Sequence, residues 1–471
     1  MGKIKITIED LFNLPTAEIY NPDSYKPLAS VEIDSRKVKK ETLFVAIKGE
    51  KLDGHDFVHE AIKKGAGAVV INKNKFRNFS KIGIPVITVE DSIKAYGNIA
   101  RVWRKKINAK VISVTGSNGK TTTKEIVSTL LSEKFEVIKT EANNNNHIGV
   151  PLTILSADEK CEVLILEQGT NHFGEIEYSA NISLPDIALI TNIGDSHLEF
   201  LKNREGVYKE KSALLDLCEI HGGKVFLNLD DPVLRKASKN YWNKITYGFK
   251  GNVDVKGKIL GYTKEGRPKI QIRFNKNVLS IGKGFGKLVV TLPIYGESNA
   301  QNFLASASIA LFAGLKPEQI VSGAKKIKPV HGRFVVGNFK EAVIIDDTYN
   351  SNPGSVKSAV EIVNRIKLFN KKIFVLGDML ELGKASARLH KELAEIFRKS
   401  DKSLVLTIGS MMKNLHKALS SKQIKSIHFN KREELELYLK YESVEKSVIL
   451  VKGSRGMKME EFVNTLEKRF E

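Results

Sequence analysis

The chain predicts an α/β protein of three domains, with a doubly wound sheet in the middle and a Rossmann-like sheet at the end. Three observations carry this. Its 471 residues exceed what one core sustains and, at about 150 residues per domain, correspond to about three. Apolar runs of strand length alternate with helix-period stretches through most of the chain, as in strands joined by crossover helices. Finally, a glycine loop at residues 115–123 joins one such strand to one such helix, the local order of a phosphate-binding loop.

Composition narrows the class. Hydrophobic residues make up 42% and charged residues 27%, so a packed core is available and disorder or fibre is excluded. Two cysteines, Cys161 and Cys218, are too few for a disulfide framework and lack metal spacing, which points to a reducing compartment. The apolar residues at the start are interrupted by charges, and no run approaches the roughly 18 apolar residues of a membrane span. A cytoplasmic protein without membrane insertion is expected. Lys and Arg total 75 against 54 Asp and Glu, a net charge of +21. The basic residues are scattered as pairs such as Lys39-Lys40 and Lys371-Lys372 and rarely adjoin aromatics. A solvated surface and acidic small substrates fit this better than a nucleic-acid track.

Residues 1–108 read as a small α/β unit, with strands at 43–47 and 68–71 and a helix at 59–64. Two of its stretches, Asp34-Ser35-Arg36 and the run from Lys48 to Phe57 that holds Gly49 and Asp53, combine hydrogen-bonding side chains with loop chemistry. A grip on a nucleoside diphosphate has that composition; so does an ordinary turn.

Residues 109–331 read as the doubly wound, P-loop ATPase-like domain. After Val111-Ile112-Ser113-Val114, the loop Thr-Gly-Ser-Asn-Gly-Lys-Thr-Thr-Thr lets Gly116 and Gly119 turn the backbone. The N–H groups around Ser117, Asn118, Gly119 and Thr122 then face a phosphate, Lys120 reaches the terminal phosphates, and the Thr121 hydroxyl holds Mg²⁺. Val114 stands where the strict pattern has glycine, so the loop is a shortened variant. Further strands end in Glu167 and in Thr191-Asn192, with His197 just beyond. Ligands in open parallel sheets sit past the carboxyl ends of strands, so these junctions share one site. Glu167 stands where a second Mg²⁺-linked carboxylate is expected, or is a surface glutamate at a strand end. Residues 251–296 alternate apolar and polar and predict antiparallel trim. The glycines at 282–286 are a turn, and an alanine-rich helix runs from Gly296 to Ala313.

Residues 332–471 again alternate strands (342–345, 372–376, 403–408, 448–451) with helices, and the strand ends carry polar stretches at 346–353, 377–383 and 452–456. With no phosphate loop of its own, this domain completes a site on its neighbour.

With the loop at 115–123, Asn143-Asn144-Asn145-Asn146-His147-Ile148-Gly149-Val150-Pro151, Glu167, His197 and Asp346-Asp347-Thr348-Tyr349-Asn350-Ser351-Asn352-Pro353 in hand, the chain resembles the Mur ligase family of peptidoglycan synthesis over all three domains. Glu167-Gln168-Gly169-Thr170-Asn171-His172-Phe173-Gly174-Glu175-Ile176, the stretches 347–353 and 377–383, and the lack of an Asp-Asn-Pro-Arg signature resemble the branch that adds D-alanyl-D-alanine. The resemblance implies ATP and Mg²⁺ as cofactors and a monomer as the working form. ATP would phosphorylate the carboxylate of a UDP-N-acetylmuramoyl-tripeptide, and the amine of D-alanyl-D-alanine would displace that phosphate.

The same resemblance implies roles residue by residue. Val207-Tyr208-Lys209-Glu210-Lys211-Ser212 matches the segment in which family members carry a carbamoylated lysine, with Lys211 the closer register and Lys209 the other. A carbamate there would join Glu167 and His197 at a second Mg²⁺. Asn299 and Asn302 match the adenine side, although Ser298 replaces a histidine common there. Arg333 and Asp347 correspond to nucleotide contacts from the third domain. Ser35, Arg36, Gly49 and Asp53 correspond to the UDP grip, Asn145 and Asn146 to the sugar-peptide side, and Asn350, Asn352 and Arg455 to the dipeptide pocket. Because ATP would touch two domains, closure about residues 329–333 is expected. The rival readings are a folylpolyglutamate-type or other Mur-type ligase, a nucleic-acid-stimulated NTPase and a nucleotide-binding regulator.

Overall fold

The computed structural model describes residues 4–279, 281–398 and 402–470. Its strands fall into three sheets. The first holds β1 (Glu18–Tyr20), β2 (Ser30–Glu32), β3 (Thr42–Val45), β4 (Ala66–Asn72) and β5 (Val86–Val89) in the order β1-β5-β4-β3-β2, parallel apart from the antiparallel β1. β3 stops at Val45, two residues short of the apolar run that predicts it. Ala46 N–H still bonds Val70 O, and the chain then turns into the tight stretch at residues 47–54.

The second sheet contains β6 (Lys110–Thr115), β7 (Val137–Lys139), β8 (Val163–Glu167), β9 (Ile187–Ile190), β10 (Lys224–Asn228), β11 (Lys244–Gly248), β12 (Val255–Tyr262), β13 (Pro268–Asn275) and β14 (Phe285–Thr291). Its order is β14-β13-β12-β11-β10-β9-β6-β8-β7. From β7 to β12 every pairing is parallel, and β12-β13-β14 run antiparallel. The expected trim is therefore an extension of the same sheet. β6 lies between β8 and β9, so the chain winds outward in both directions from it. That reversal opens a crevice at the carboxyl ends of β6 and β9, where the glycine loop sits. The strands are buried on both faces, which is why they read as unbroken apolar runs.

β15 (Val335–Asn338), β16 (Ala342–Asp347), β17 (Lys371–Gly377), β18 (Ser403–Ile408), β19 (Ser426–Phe429) and β20 (Ser447–Lys452) form the third sheet, ordered β15-β16-β20-β17-β18-β19 and parallel except at β15.

The cores are distributed unequally. Leu43, Val45 and Val70 of the first sheet, Trp103 of the helix Ser92–Lys106, and Val111, Val150 and Leu164 of the second unit belong to one continuous cluster. Trp103 Nε1 also donates to Ala157 O at 2.8 Å. The third sheet has two clusters of its own, one on each face; among the described residues they take in Tyr295 and the partly buried Leu198 from the middle unit and no others.

Candidate active site

Local chemistry sets the phosphate loop. Gly116 has φ 146° and a Cβ there would stand 1.9 Å from Thr191 Oγ1; Gly119 has φ 82° and its Cβ would stand 2.5 Å from Asn302 Oδ1. Both positions need glycine, for backbone conformation and for space. The turn is tied to the end of β9: Ser117 N–H donates to Asn192 O at 3.0 Å, Asn118 N–H to Asn192 Oδ1 at 3.1 Å, and Gly194 N–H to Ser117 Oγ at 2.9 Å. The helix Lys120–Leu131 then starts at Gly119 with no side chain capping it. Its first N–H groups and positive dipole end are left for an anion. Lys120 Nζ donates to Gly116 O at 2.8 Å. Burial lowers the Lys120 pKa, Glu167 and Glu381 oppose the shift, and Arg333 adds to it.

Two further buried ionisable side chains, Glu167 and Lys211, are each coupled by charge to Lys120. Glu167, 2% exposed at the end of β8, accepts from Asn145 Nδ2 at 2.8 Å on Oε1, while its Oε2 is buried without a partner. Lys211, in the helix Arg204–Ile220, is 0% exposed and its Nζ has no hydrogen-bond partner. Burial, reinforced by the charge of Lys120 and resisted by Glu210, pushes its pKa well below the ordinary lysine value. The competing register, Lys209, is exposed. Next to Lys211, the Glu210 carboxylate accepts from Gly174 N–H (2.7 Å), Ile176 N–H (2.8 Å) and Thr170 Oγ1 (3.1 Å). It thereby caps the helix Glu175–Ser183 and fixes the strand-end loop that carries Glu167.

The third unit reaches this site at three points. Arg333 Nη2 donates to Thr121 Oγ1 at 3.0 Å, with its guanidinium over the Tyr349 ring at 4.2 Å. Asn352 caps the helix Pro353–Arg365 and donates from Nδ2 to Asn118 Oδ1 at 2.7 Å. Glu381 Oε2 lies 2.7 Å from His197 Nδ1. Asp347 is held by Lys452 at 2.7 Å and by Phe334 N–H at 3.2 Å. Burial raises the Asp347 pKa despite Lys452 and Arg333.

A polar cleft of about 680 Å³ joins these groups. Ser117, Asn118, Gly119, Lys120, Thr122, Asn145, Asn146, Glu167, His197, Asn299, Asn302, Arg333, Asp347, Asn350, Asn352 and Arg455 line it. Gly116, Thr121 and Lys211 stand behind that lining. Asn299 and Asn302 are joined at 3.2 Å on the helix Gly296–Phe312, and Asn146 Oδ1 accepts from Gly149 N–H at 2.9 Å at the start of the helix Gly149–Ser156. Ser35, Arg36, Gly49 and Asp53 are not among the lining residues; they sit on the first unit. Ser35 is buried, and Arg36 is exposed and doubly bonded to Asp34 at 2.9 and 2.8 Å. Asp53 accepts from His55 N–H at 3.0 Å and meets Lys75 at 3.4 Å, while Gly49 N–H bonds Leu52 O at 2.9 Å.

Sequence reasoning gave no role to Glu210, Glu381 or Lys452. Lys452 ends β20 and Glu381 lies just beyond β17, inside the polar strand-end stretches 452–456 and 377–383 that the sequence marks without giving either residue a role. Glu210 carries no such mark.

The donor set suits a hard cation. Glu167 Oε2 and Lys211 Nζ are buried and unpartnered, and hydroxyl, carboxylate and carbamate oxygens are Mg²⁺ ligands. Among the described residues no three His, Cys, Asp or Glu side chains come together as a ready metal nest. A carbamate on the Lys211 amine would add a further anionic ligand to the set.

Comparison with known proteins bears on all three units. Family models describe residues 27–104 as "Mur ligase family, catalytic domain", 114–310 as "Mur ligase middle domain" and 332–455 as "Mur ligase, glutamate ligase domain". The UDP-N-acetylmuramoyl-tripeptide–D-alanyl-D-alanine ligase of Bacillus subtilis is 32% identical over 98% of this chain and 98% of its own. The Escherichia coli enzyme of the same name is also 32% identical, over 99% of each. Among solved structures, MurF from Acinetobacter baumannii superposes with a TM-score of 0.85 at 27% identity, covering 98% of both chains. MurF ligase from Thermotoga maritima in complex with ADP superposes with a TM-score of 0.78 at 30% identity, covering 94% of this chain and 97% of that one.

Proposed function

The chain belongs to the Mur ligase family, and from that membership and the cleft we infer how it works as an ATP-dependent ligase joining D-alanyl-D-alanine to the UDP-N-acetylmuramoyl-tripeptide in peptidoglycan precursor synthesis. The observation that carries the mechanism is the pairing of an uncapped phosphate loop with a fully buried, unpartnered lysine coupled by charge to its Lys120.

A carboxylate is a poor electrophile until one of its oxygens becomes part of a good leaving group. Its oxygen attacks the γ-phosphorus of ATP, ADP departs, and an acyl phosphate remains. The amine of D-alanyl-D-alanine then attacks the acyl carbon, inorganic phosphate leaves and an amide forms. The work of the protein is positioning and charge stabilisation. Residues 116–122 cradle the triphosphate with backbone N–H groups, and Lys120 neutralises its terminal oxygens. Asn299 and Asn302 border the adenine side; Arg333 and Asp347 bring the third unit to the nucleotide.

Mg²⁺ supplies charge neutralisation of the phosphates, with Thr121, Glu167, His197 and a carbamoylated Lys211 as the residues that would hold it. The Thr121 hydroxyl, which now accepts from Arg333, is an oxygen for which cation and guanidinium compete. The environment of Lys211 favours the neutral amine, the form that adds CO₂.

Residues 1–108 serve the UDP end of the substrate, 109–331 the ATP, and 332–471 the incoming dipeptide. Ser35, Arg36, Gly49 and Asp53 hold the uridine diphosphate, Asn145 and Asn146 the sugar-peptide arm, and Asn350, Asn352 and Arg455 the dipeptide. The working form is a cytoplasmic monomer, and no described helix is long and apolar enough to cross a membrane. Incubation of ATP, Mg²⁺, UDP-N-acetylmuramoyl-tripeptide and D-alanyl-D-alanine should release phosphate in step with a UDP-linked pentapeptide. Phosphate release without pentapeptide would overturn the reading.

A further inference from the structure

We propose that Glu381 is a positioning residue for His197, reaching from the third unit to decide which ring nitrogen the cleft receives. The inference rests on the ligase reading of the cleft but is carried by separate geometry. His197 has a left-handed backbone, φ 52°, at the start of the short helix Leu198–Leu201. The segment sits in a seat made by the third unit: Glu199 N–H donates to Glu381 O at 3.3 Å, Gly383 packs on the Glu199 backbone so closely that a Cβ would lie 3.1 Å from its Cα, and Leu198 packs against the third unit's core.

Within that seat the Glu381 carboxylate approaches His197 Nδ1 to 2.7 Å. The approach is oblique, so Nδ1 has no aligned hydrogen bond in this arrangement; such contacts commonly tighten when substrate is bound. Both side chains line the cleft. A carboxylate at Nδ1 favours the tautomer that carries its proton there, which leaves the Nε2 lone pair for a ligand. Carboxylates behind ligand histidines act in this way, fixing ring orientation and raising basicity. Because Glu381 belongs to the third unit and His197 to the middle one, the imidazole is set only when the two are docked.

The test combines a spectroscopic and a kinetic readout. Protein labelled with ¹⁵N-histidine, with the His197 signals assigned by their loss in His197→Gln, should show an Nδ1-protonated, Nε2-bare ring. Glu381→Ala should mix the tautomers, and Glu381→Gln, which keeps an acceptor oxygen, should largely preserve the wild-type pattern. Turnover by Glu381→Ala should fall by about 10–100-fold with KM for D-alanyl-D-alanine unchanged, and the substitution should have no further effect in a His197→Ala background. Unchanged ring signals in a folded Glu381→Ala protein, or an equal loss with His197 already removed, would overturn the proposal. If the wild type forms no pentapeptide, the ligase reading fails while the tautomer measurement still judges Glu381.

Discussion

Lys211 concentrates the residue-scale argument. A lysine side chain 0% exposed with an unpartnered Nζ carries a desolvation cost, for which a chemical use of the amine is the simplest account. Lys211→Ala should therefore lower turnover on the order of 10²–10³-fold, with partial recovery on adding a short carboxylic acid that can occupy the vacated space. Lys209→Ala, at an exposed position two residues away, should remain near wild type. The measurement is initial rate with and without the added acid, and a fully active Lys211→Ala enzyme would remove the lysine from the site. Read by residue type, Lys211 could equally have been a surface lysine on a helix; the sign of its burial that this reading leaves unused is that Val207, Lys211, Leu214, Leu215 and Cys218 share one helical face, an apolar stripe. The phosphate loop was legible, since its glycines, lysine and threonine act within a few residues of one another. Glu381 and Arg333 act across units, and no local pattern announces a partner such as His197 or Thr121 so far away in sequence.

Elements supply the supports that such partnerships need, and two carboxylates do so by capping. Glu210 takes three hydrogen bonds from the Thr170–Ile176 turn while buried. Removing it strands those donors, so Glu210→Ala should cost roughly 2–4 kcal/mol of stability, read as a lower midpoint in urea unfolding, and should depress activity by loosening Glu167. In sequence, Glu210 looks like any helix glutamate, because what distinguishes it is the end of another helix packed against it. Asp53 starts the turn at Gly54–Phe57. Partial burial works against its charge, but bonds from the His55 backbone and ring, with Lys75, hold its pKa down to about 2 from an ordinary 3.8. A lowered folded-state pKa contributes stability above the ordinary value and loses it as pH falls through the folded one. The melting-temperature gap between wild type and Asp53→Asn should thus be full at pH 6 and shrink from pH 4 toward 2; a gap independent of pH would show that the charge does no stabilising there. That turn was read from composition alone, and in the fold its side chains satisfy the loop's own backbone, Asp53 accepting from His55 N–H.

At the scale of the whole molecule the three units are joined by different physics. The first shares a continuous apolar core with the middle one, so separating them would expose buried hydrocarbon, and they should move together. The third keeps its own cores and meets the phosphate loop through polar contacts, Arg333 to Thr121 and Asn352 to Asn118. Polar interfaces of this kind exchange readily with water, so closure about the connection at residues 329–333 is a proposal that can be tested. Removing both contacts while keeping the helix capped tests this directly. Arg333→Ala combined with Asn352→Ser leaves a serine able to cap the helix Pro353–Arg365 but too short to span the distance to Asn118. The variant should keep its cooperative unfolding and show a larger radius of gyration by small-angle X-ray scattering. Mg²⁺-ATP should compact the wild type more than the variant if Arg333 is, as proposed, the third unit's contact with the nucleotide. An unchanged radius in the variant would mean that the remaining contacts, the apolar ones of Tyr295 and Leu198 with the third core together with Glu381–His197 and Ser298–Ser358, and not the polar pair, hold the domains together.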